Sequence, residues 1–575
     1  MADFQKEYKR SGKGLLYIAP TGSGKTRQAL KATRGEPTTV IGTASLTKNF
    51  AKEERKAFNT ITPRESDTYS GVSRGHDLKP TKHIVLDESH YVRNPNTKTF
   101  KSLKSQRAKF DKMLAMTATP MINEPFDIAS QVNLVTGKEV IPANKQEFYN
   151  LLYKNVKVNP TVKQRLQGVQ SGEVRELRHP KLVKHLLDKH VYGEPAGKFK
   201  KFMPKRKEEV VKVPMSPQQM EIYKFIEGSI PGPLRRKIWA NLPPSKKEVK
   251  QLNAYMQGLR QVSNTAAPYV KEASRKKLLE HTIKDVAKNF GVKLKDVKFK
   301  PVLDDKRYRA GVSYKQRKSI HLSSKDISPY SKSLNKATRL ADVVAHEIGH
   351  QVGPSANEKL VQGFAKIHGP RVQKMMTQKL NKIKAGEGDR IFKKQASYST
   401  KLDKMVEDLQ TELNNKGKVL VYSNYLDAGV DKFKKRLKAN KIPFSELTGS
   451  MSKAERALAV KKYNTPNKTN VFLMSGAGAE GLNLPKTTLV QLTEPHWNKA
   501  RLYQAASRGI RRGDDPKRTV NIKTYLSTIP QKKHKLSFLG FKPKKPRTSS
   551  DEYMLGMSRR KELEINSFLK ALEDK

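Results

Sequence analysis

Short apolar runs, each ending in small or acidic residues, recur towards both ends of this chain. Residues 15–18, LLYI, read as a buried strand that runs into APTGSGKT and then into RQALKAT, which has helical character. HIVLDESH (83–90) is an apolar strand ending in Asp87 and Glu88, and MLAMTATP (113–120) is another, ending in small hydroxyl residues. The rhythm returns after residue 400. There GKVLVYSNY (417–425), TNVFLMS (469–475) and TTLVQLTE (487–494) read as strands, and DAGVDKFKKRLKANKI as an amphipathic helix. Strands alternating with helices predict parallel, doubly wound α/β sheets, with ligands at the carboxyl ends of the strands. Between the two units the pattern changes. A helix over 275–290 precedes the short strand-like runs VKFKPV, YRAGVSY and SIHLSS, and then KATRLADVVAHEIGHQVG, where Leu340, Val343, Val344 and Ile348 repeat at helical spacing. No apolar run approaches the roughly 18 residues of a membrane span.

A strand, a glycine-rich turn and a helix form the context in which backbone amides cradle phosphate. In A-x-x-G-x-G-K-T, Gly22 and Gly24 flank Ser23 and let the backbone approach, Lys25 reaches the β- and γ-phosphates, and Thr26 holds Mg2+. Asp87, at a strand tip, can hold the same ion, and Glu88 can polarise an attacking water. In QAASRGIRRG (504–513), Arg508 and Arg511 fall i, i+3 on a predicted helix and so share one side. Arginines presented across a cleft neutralise charge on a transferring phosphoryl group. A polyphosphate with Mg2+ is the ligand these residues predict.

The middle stretch carries different chemistry. His346 and His350 are one helical turn apart with Glu347 beside them, the H-E-x-x-H spacing that grips Zn2+ and leaves a carboxylate to activate water. A third ligand is required. Glu358, opening NEKLVQGFAKIHG after the Gly353-Pro354 break, is the choice, with His368 as the alternative. Cysteine is absent from the chain, which excludes disulfides, thiol catalysis and Cys-ligated zinc.

Charge adds a partner. Lys and Arg number 115 against 54 Asp and Glu in 575 residues, a formal net charge of +61. Nucleic acid, bound mainly through its phosphates, is the expected counterpart, because each neutralised phosphate releases counterions. The opening MADFQKEYKRSGKG has no apolar signal core, so secretion is not expected.

The ordered motifs resemble superfamily 2 helicases, and among them the Snf-type DNA translocases. VIGTASLTKNFAKEERK (40–56), IVLDESHYVRNPNTKTFKSLKS (84–105), MTATPMINEPFDIASQVNLV (116–135), VVKVPMSPQQMEIY (210–223), LRQVSN (259–264) and FLMSGAGAEGLNLPKTTLVQLTEPHWNKARLYQAASRGIRRG (472–513) carry the likeness, which spans roughly 1–265 and 396–530. It implies two RecA-like lobes that bind ATP between them and pull along duplex DNA. On the matching positions it makes Lys25 and Thr26 phosphate and Mg2+ ligands, Asp87 an Mg2+ ligand, Glu88 the catalytic base, Arg508 and Arg511 catalytic groups from the second lobe, and Gln504 a cleft residue.

The division that follows is a first lobe over 1–145, a helical region over 146–265, an inserted domain over 266–395, a second lobe over 396–530 and a basic tail over 531–575. The insert resembles small zincin metallopeptidases, some carried by phages, which makes Glu347 its general base. A viral or phage protein of host cytoplasm or virion is the suspicion, with a protein on DNA or in a virion as the peptidase substrate. The rival readings are a basic DNA-associated accessory protein with vestigial activities and a DNA-targeted metalloprotease.

Overall fold

The runs at 15–18, 84–86 and 113–116 become neighbouring strands, and each is apolar throughout because it is covered on both faces. The structure is a computed structural model. It describes residues 2–43, 50, 53–58, 64–194, 201–266, 270–300, 311–314, 318–323, 334–352, 358–384, 399–476, 482–510, 514–530 and 547–573.

In the first lobe, α1 (Ala2–Arg10) leads to β1 (Gly14–Ile18), the glycine-rich turn and α2 (Lys25–Ala32). Next come β2 (Thr38–Gly42), β3 (Arg64–Thr68), β4 (Thr81–Asp87), β5 (Phe110–Thr117) and α3 (Asp127–Thr136). After a two-stranded hairpin, β6 (Val191–Gly193) completes a six-stranded, all-parallel sheet in the order β3-β2-β4-β5-β1-β6. Leu15 and Tyr17 face Phe4, Tyr8 and Leu30 on one side; Leu16 faces Leu86, Met113 and Val132 on the other. The carboxyl ends of β1, β5 and β4 therefore open side by side.

The chain next departs from the division expected of it. β7 (Lys205–Pro214), placed by sequence with the first lobe's helical region, is an edge strand of the second lobe. Its side chains are mostly exposed and charged, as an edge tolerates, so no apolar pattern marked it. α4 (Pro217–Glu227) and α5 (Glu248–Asn264) form a small helical core around Tyr223, Met256 and Leu259.

The insert has α6 (Val270–Lys288), β8 (Asp296–Lys300), β9 (Gly311–Tyr314), β10 (Ser319–Ser323), α7 (Leu334–Val352) and α8 (Glu358–Lys384). Its sheet runs β8-β10-β9, with β9 antiparallel to β10. Leu340, Val344 and Ile348 of α7 meet Ile320, Leu322, Val372 and Met376 in a core of its own.

The second lobe contains α9 (Thr400–Asn414), β11 (Val419–Ser423), α10 (Asp431–Ala439), β12 (Ser445–Leu447), β13 (Val471–Ser475), β14 (Leu489–Leu492), α11 (Lys499–Ala506) and β15 (Thr519–Thr528). Its sheet, β12-β13-β11-β14-β15-β7, is also wholly parallel, and β7 pairs with β15 from Thr519↔Lys205 to Thr528↔Pro214. Two doubly wound parallel sheets with an α+β insertion between them are the fold class the sequence predicts.

The end of the chain is not a free basic tail. α12 (Ser550–Glu573) packs Phe568 and Ala571 into the first lobe's core and Tyr553 and Met554 into the helical core. Asp551 is wholly buried against Lys401 of α9, at 2.8 Å. The lysine-rich run at 531–546, the front of that expected basic tail, lies outside the described residues. Among the described residues no helix is long and apolar enough to cross a membrane.

Candidate active site

The turn after β1 is shaped by two glycines in the left-handed region, Gly22 at φ 80° and Gly24 at φ 92°, where an L side chain costs about 1–2 kcal/mol. Gly24 caps α2 without a side-chain hydrogen bond, and the first turn of α2 has no acidic residue. The first amides of the helix thus keep their partial positive charge, a ready phosphate site. Lys25 is buried, and its Nζ donates to the carbonyls of Ala19 at 3.1 Å and Pro20 at 3.3 Å. Ser23 is buried beside it and Thr26 half-buried. Left-handed glycines, an uncapped helix start and a buried ammonium fit a polyphosphate, and Thr26 and Asp87 are the oxygen donors that fit Mg2+.

β4 delivers the carboxylates. Asp87 Oδ1 accepts the Glu88 N–H at 3.0 Å, and the Asp87 carbonyl accepts the Tyr69 hydroxyl at 2.9 Å. Glu88 itself is left-handed, at φ 56° and ψ 52°, a conformation that a non-glycine residue holds only when its surroundings impose it. His90 Nδ1 lies 3.3 Å from Glu88 Oε2 and 3.4 Å from Thr117 Oγ1 at the end of β5.

The two acids are driven apart. Burial and then the Glu88 charge push Asp87 up. Burial acts on Glu88 in the same sense, but the hydrogen bond from His90 and the charges of Lys25, His90 and Arg508 outweigh it and hold Glu88 below the ordinary carboxylate range. Glu88 is thereby kept ionised, the state a general base needs.

The second lobe reaches the same place. Gln504 Nε2 donates to Thr119 Oγ1 at 3.1 Å, and Asn498 Nδ2 to Asn123 Oδ1 at 3.5 Å. The helix expected through 504–513 stops earlier: α11 ends at Ala506, and Arg508 sits on the single 3-10 turn Ser507–Gly509. From there its charge acts on Glu88 across the cleft. Gly22, Ser23, Gly24, Lys25, Thr26, Asp87, Glu88, Gln504 and Arg508 thus surround one cleft. Arg511 lies outside the described residues. His90 and Thr119 were not singled out from the sequence, although both stood inside quoted motifs. Glu494 was missed too. It is buried and accepts from Ser423 Oγ at 3.0 Å, Asn424 Nδ2 at 3.0 Å and Asn264 Nδ2 at 2.9 Å, tying α5 to the second sheet. An acid directly after an apolar strand, the pattern that marked Asp87, would have found it.

In the insert, His346 Nε2 and His350 Nε2 converge on α7 to 3.2 Å, and Glu347 between them is buried. Among the described residues no third ligand joins them. The Glu358 side chain lies outside the described residues, and His368 packs on the rings of Phe364 and Phe290, at 4.5 and 5.3 Å between centroids. Among the described residues no three His, Cys, Asp or Glu side chains gather as a metal site.

Comparison with known proteins agrees with the two-lobed core. Residues 33–267 match the SNF2-related domain and residues 400–513 the helicase conserved C-terminal domain. A protein of Acanthamoeba polyphaga mimivirus named as an ATP-dependent RNA helicase is 21% identical over 566 residues, 96% of this chain and 92% of that protein. The DNA repair and recombination protein RAD54-like of Homo sapiens is 36% identical over 126 residues, 21% of this chain and only 16% of its own length. Among solved structures, the Sulfolobus solfataricus SWI2/SNF2 ATPase core in complex with dsDNA aligns over 100% of this chain and 95% of that one, at 15% identity and a TM-score of 0.31.

Proposed function

We propose that this chain, which joins an SNF2-related domain to a helicase C-terminal domain and so has the core of an ATP-hydrolysing SNF2-type helicase, translocates along duplex DNA. The observation that carries the reading is the single cleft in which Lys25, Asp87 and Glu88 of one lobe meet Gln504 and Arg508 of the other. The turn at Gly22–Lys25 binds the phosphates. Mg2+, when bound at Thr26 and Asp87, supplies charge neutralisation between them. Glu88 accepts the proton of the attacking water, and its His90 neighbour fixes its carboxylate. Arg508, with Arg511, counters the charge that grows on the transferring group, so hydrolysis requires both lobes to be closed. The excess of cations supports nucleic acid as the track, and the RAD54-like similarity supports DNA.

ATP hydrolysis with and without duplex DNA, beside duplex RNA, tests the reading, with triplex displacement measured next to strand separation. DNA-stimulated hydrolysis that disappears in Lys25→Ala is expected, and an unchanged rate in that variant would sink the proposal.

A second reading adds zinc in the insert. Two nitrogens bound tetrahedrally at about 2.0–2.1 Å would stand roughly 3.3 Å apart, and the His346–His350 separation of 3.2 Å fits that. Glu347 then takes a proton from water as a peptidase base, with Glu358 or His368 completing the ligand set. Metal analysis of the purified protein and of His346→Ala tests it.

A further inference from the structure

α3 is buried along almost its whole length, from Asp127 to Thr136, and Ile128, Ala129, Val132 and Leu134 join the first lobe's core. Among them Gln131 is wholly buried. Leucine or methionine would fill the same space, and an amide in such a place lowers stability unless its donors and acceptor are matched. The Gln131 amide is matched on both sides. Its Oε1 accepts the Ser89 hydroxyl at 2.8 Å. Its Nε2 donates to the carbonyl of Pro120 at 2.6 Å and, within the helix, to that of Asp127 at 2.9 Å.

The two partners outside the helix each adjoin a residue of the cleft. Ser89, also wholly buried, follows Glu88 and opens the 3-10 turn Ser89–Val92. Because Glu88 holds a left-handed backbone, the direction of its carboxylate depends on whatever fixes the turn behind it. Pro120 follows Thr119, whose hydroxyl receives Gln504 of the second lobe at 3.1 Å. One side chain therefore joins the residue after the base to the residue after the interlobe contact. A parallel link runs from the Thr119 amide to Thr117 Oγ1 at 3.0 Å and on to His90 Nδ1 at 3.4 Å. That link ends beside the Glu88 carboxylate, whereas Gln131 holds the backbone that carries it.

We propose that Gln131 is a positioning residue for ATP hydrolysis, an amide bridge through which contact of the second lobe with Thr119 fixes the turn that aims Glu88 at the attacking water. In that step the water oxygen bonds to the γ-phosphorus, its proton passes to Glu88, and ADP leaves with the electron pair of the broken P–O bond. None of the three Gln131 bonds goes to the phosphate turn, to Asp87 or to the Glu88 carboxylate, so its effect falls on turnover rather than on nucleotide binding. Gln131 acts through Glu88, so this rests on the translocase reading and adds to it the route by which lobe contact reaches the base.

Gln131→Met conserves volume and removes the amide, and Ser89→Ala removes one hydroxyl. Hydrolysis of ATP by the full chain with duplex DNA should lose about tenfold or more in kcat in each variant, the scale of a misplaced catalytic group. The KM for ATP and the affinity for a fluorescent ADP analogue should stay within about twofold. On a Gln504→Ala background, which already lacks the lobe contact, Gln131→Met should cost less than about threefold further, because both changes act on one route. A wild-type kcat in Ser89→Ala overturns the proposal. So does a loss in Gln131→Met that falls equally on nucleotide affinity, or one that multiplies in full with Gln504→Ala. Should Gln131→Met fold poorly, seen as a lowered urea midpoint, Ser89→Ala alone and combined with Gln504→Ala gives the same decision. The two levels of failure differ in the wild type. Wild-type turnover no higher than that of Lys25→Ala sinks the translocase reading and the bridge together, whereas normal wild-type turnover with unaffected variants sinks the bridge alone.

Discussion

The interlobe cleft and the insert's histidine pair both start from a short signature on a strand–turn–helix or a helix, yet they are built differently. The cleft collects Lys25 from the start of α2, Asp87 and Glu88 from the end of β4, His90 and Thr117 around them, and Gln504 and Arg508 from α11 and the turn after it, hundreds of residues away. The insert offers two imidazoles and a carboxylate on one helix, and the described residues add no further ligand. A signature fixes the part of a site that lies within one or two turns of chain. The remainder is supplied by topology, and parallel sheets supply it generously because they align the carboxyl ends of many strands.

The comparison can be broken or sharpened by experiment. The largest effect belongs to the cleft. Lys25→Ala should abolish nucleotide binding and turnover together, whereas Arg508→Ala should spare binding and cut turnover by about 10³-fold or more, as for an arginine that acts across a cleft. Equal losses of affinity and rate in Arg508→Ala would reassign it to ground-state binding, and nucleotide titration beside steady-state kinetics tells the two apart. On the other side, His346→Ala should remove bound zinc while ATP turnover stays within about twofold, because distant sites act independently. Mass spectrometry of the intact protein reads the metal. Wild type without zinc under metal-replete conditions would leave the insert as scaffold.

Stability probes the way the cleft is held. Lys401→Met strands the Asp551 carboxylate, which is wholly buried and otherwise accepts the Ser527 N–H at 2.9 Å. Breaking a buried pair from one side should cost about 3–5 kcal/mol, visible as a lowered urea midpoint, with zinc retention in the insert unchanged. A loss as small as that of an exposed pair would show that α12 is not clamped. The smallest effect is a pH slope. Burial and then the charges of Arg260, Arg501 and Lys561 pull the folded His496 down to about 4, and the unfolded side chain keeps its usual 6.5, so between those values the unfolded state binds more protons. Stability from this residue is therefore full above about 6.5 and declines as pH falls through that window. His496→Asn should flatten the fall of the urea midpoint from pH 7 to pH 4.5, and an unchanged slope would place the pH dependence elsewhere.

Legibility followed locality. The two parallel sheets were readable because strands buried on both faces must be apolar at every position, as at Leu15, Leu16 and Tyr17. Lys25, Asp87 and Glu88 were readable because glycines and strand tips surround them. β7 was not, because an edge strand of alternating Lys, Arg, Glu and Val carries no period that burial enforces. α12 reads as part of a basic tail because the lysine-rich run precedes it, yet its apolar residues lie on one face, Tyr553, Met554 and Met557 meeting one core and Ile565, Phe568 and Leu569 another. Nor could sequence foresee that α11 stops at Ala506, that Glu88 adopts a left-handed backbone, or that Lys561 would stand near Arg501. Each depends on partners distant along the chain.

The docking of α12 has a consequence for synthesis. The first lobe's aromatic cluster holds Phe148 against Phe568, so a surface made early waits for a helix made much later. At about 5–20 residues per second, the roughly 350 residues between β6 and α12 take some 20–70 seconds to emerge. During that interval the nascent lobe exposes an oily seam, and β7 likewise dangles as an unpaired edge until β15 arrives. A chain so arranged should engage chaperones on the ribosome, and α12 supplied in trans as a peptide should hasten the folding of a stalled nascent chain.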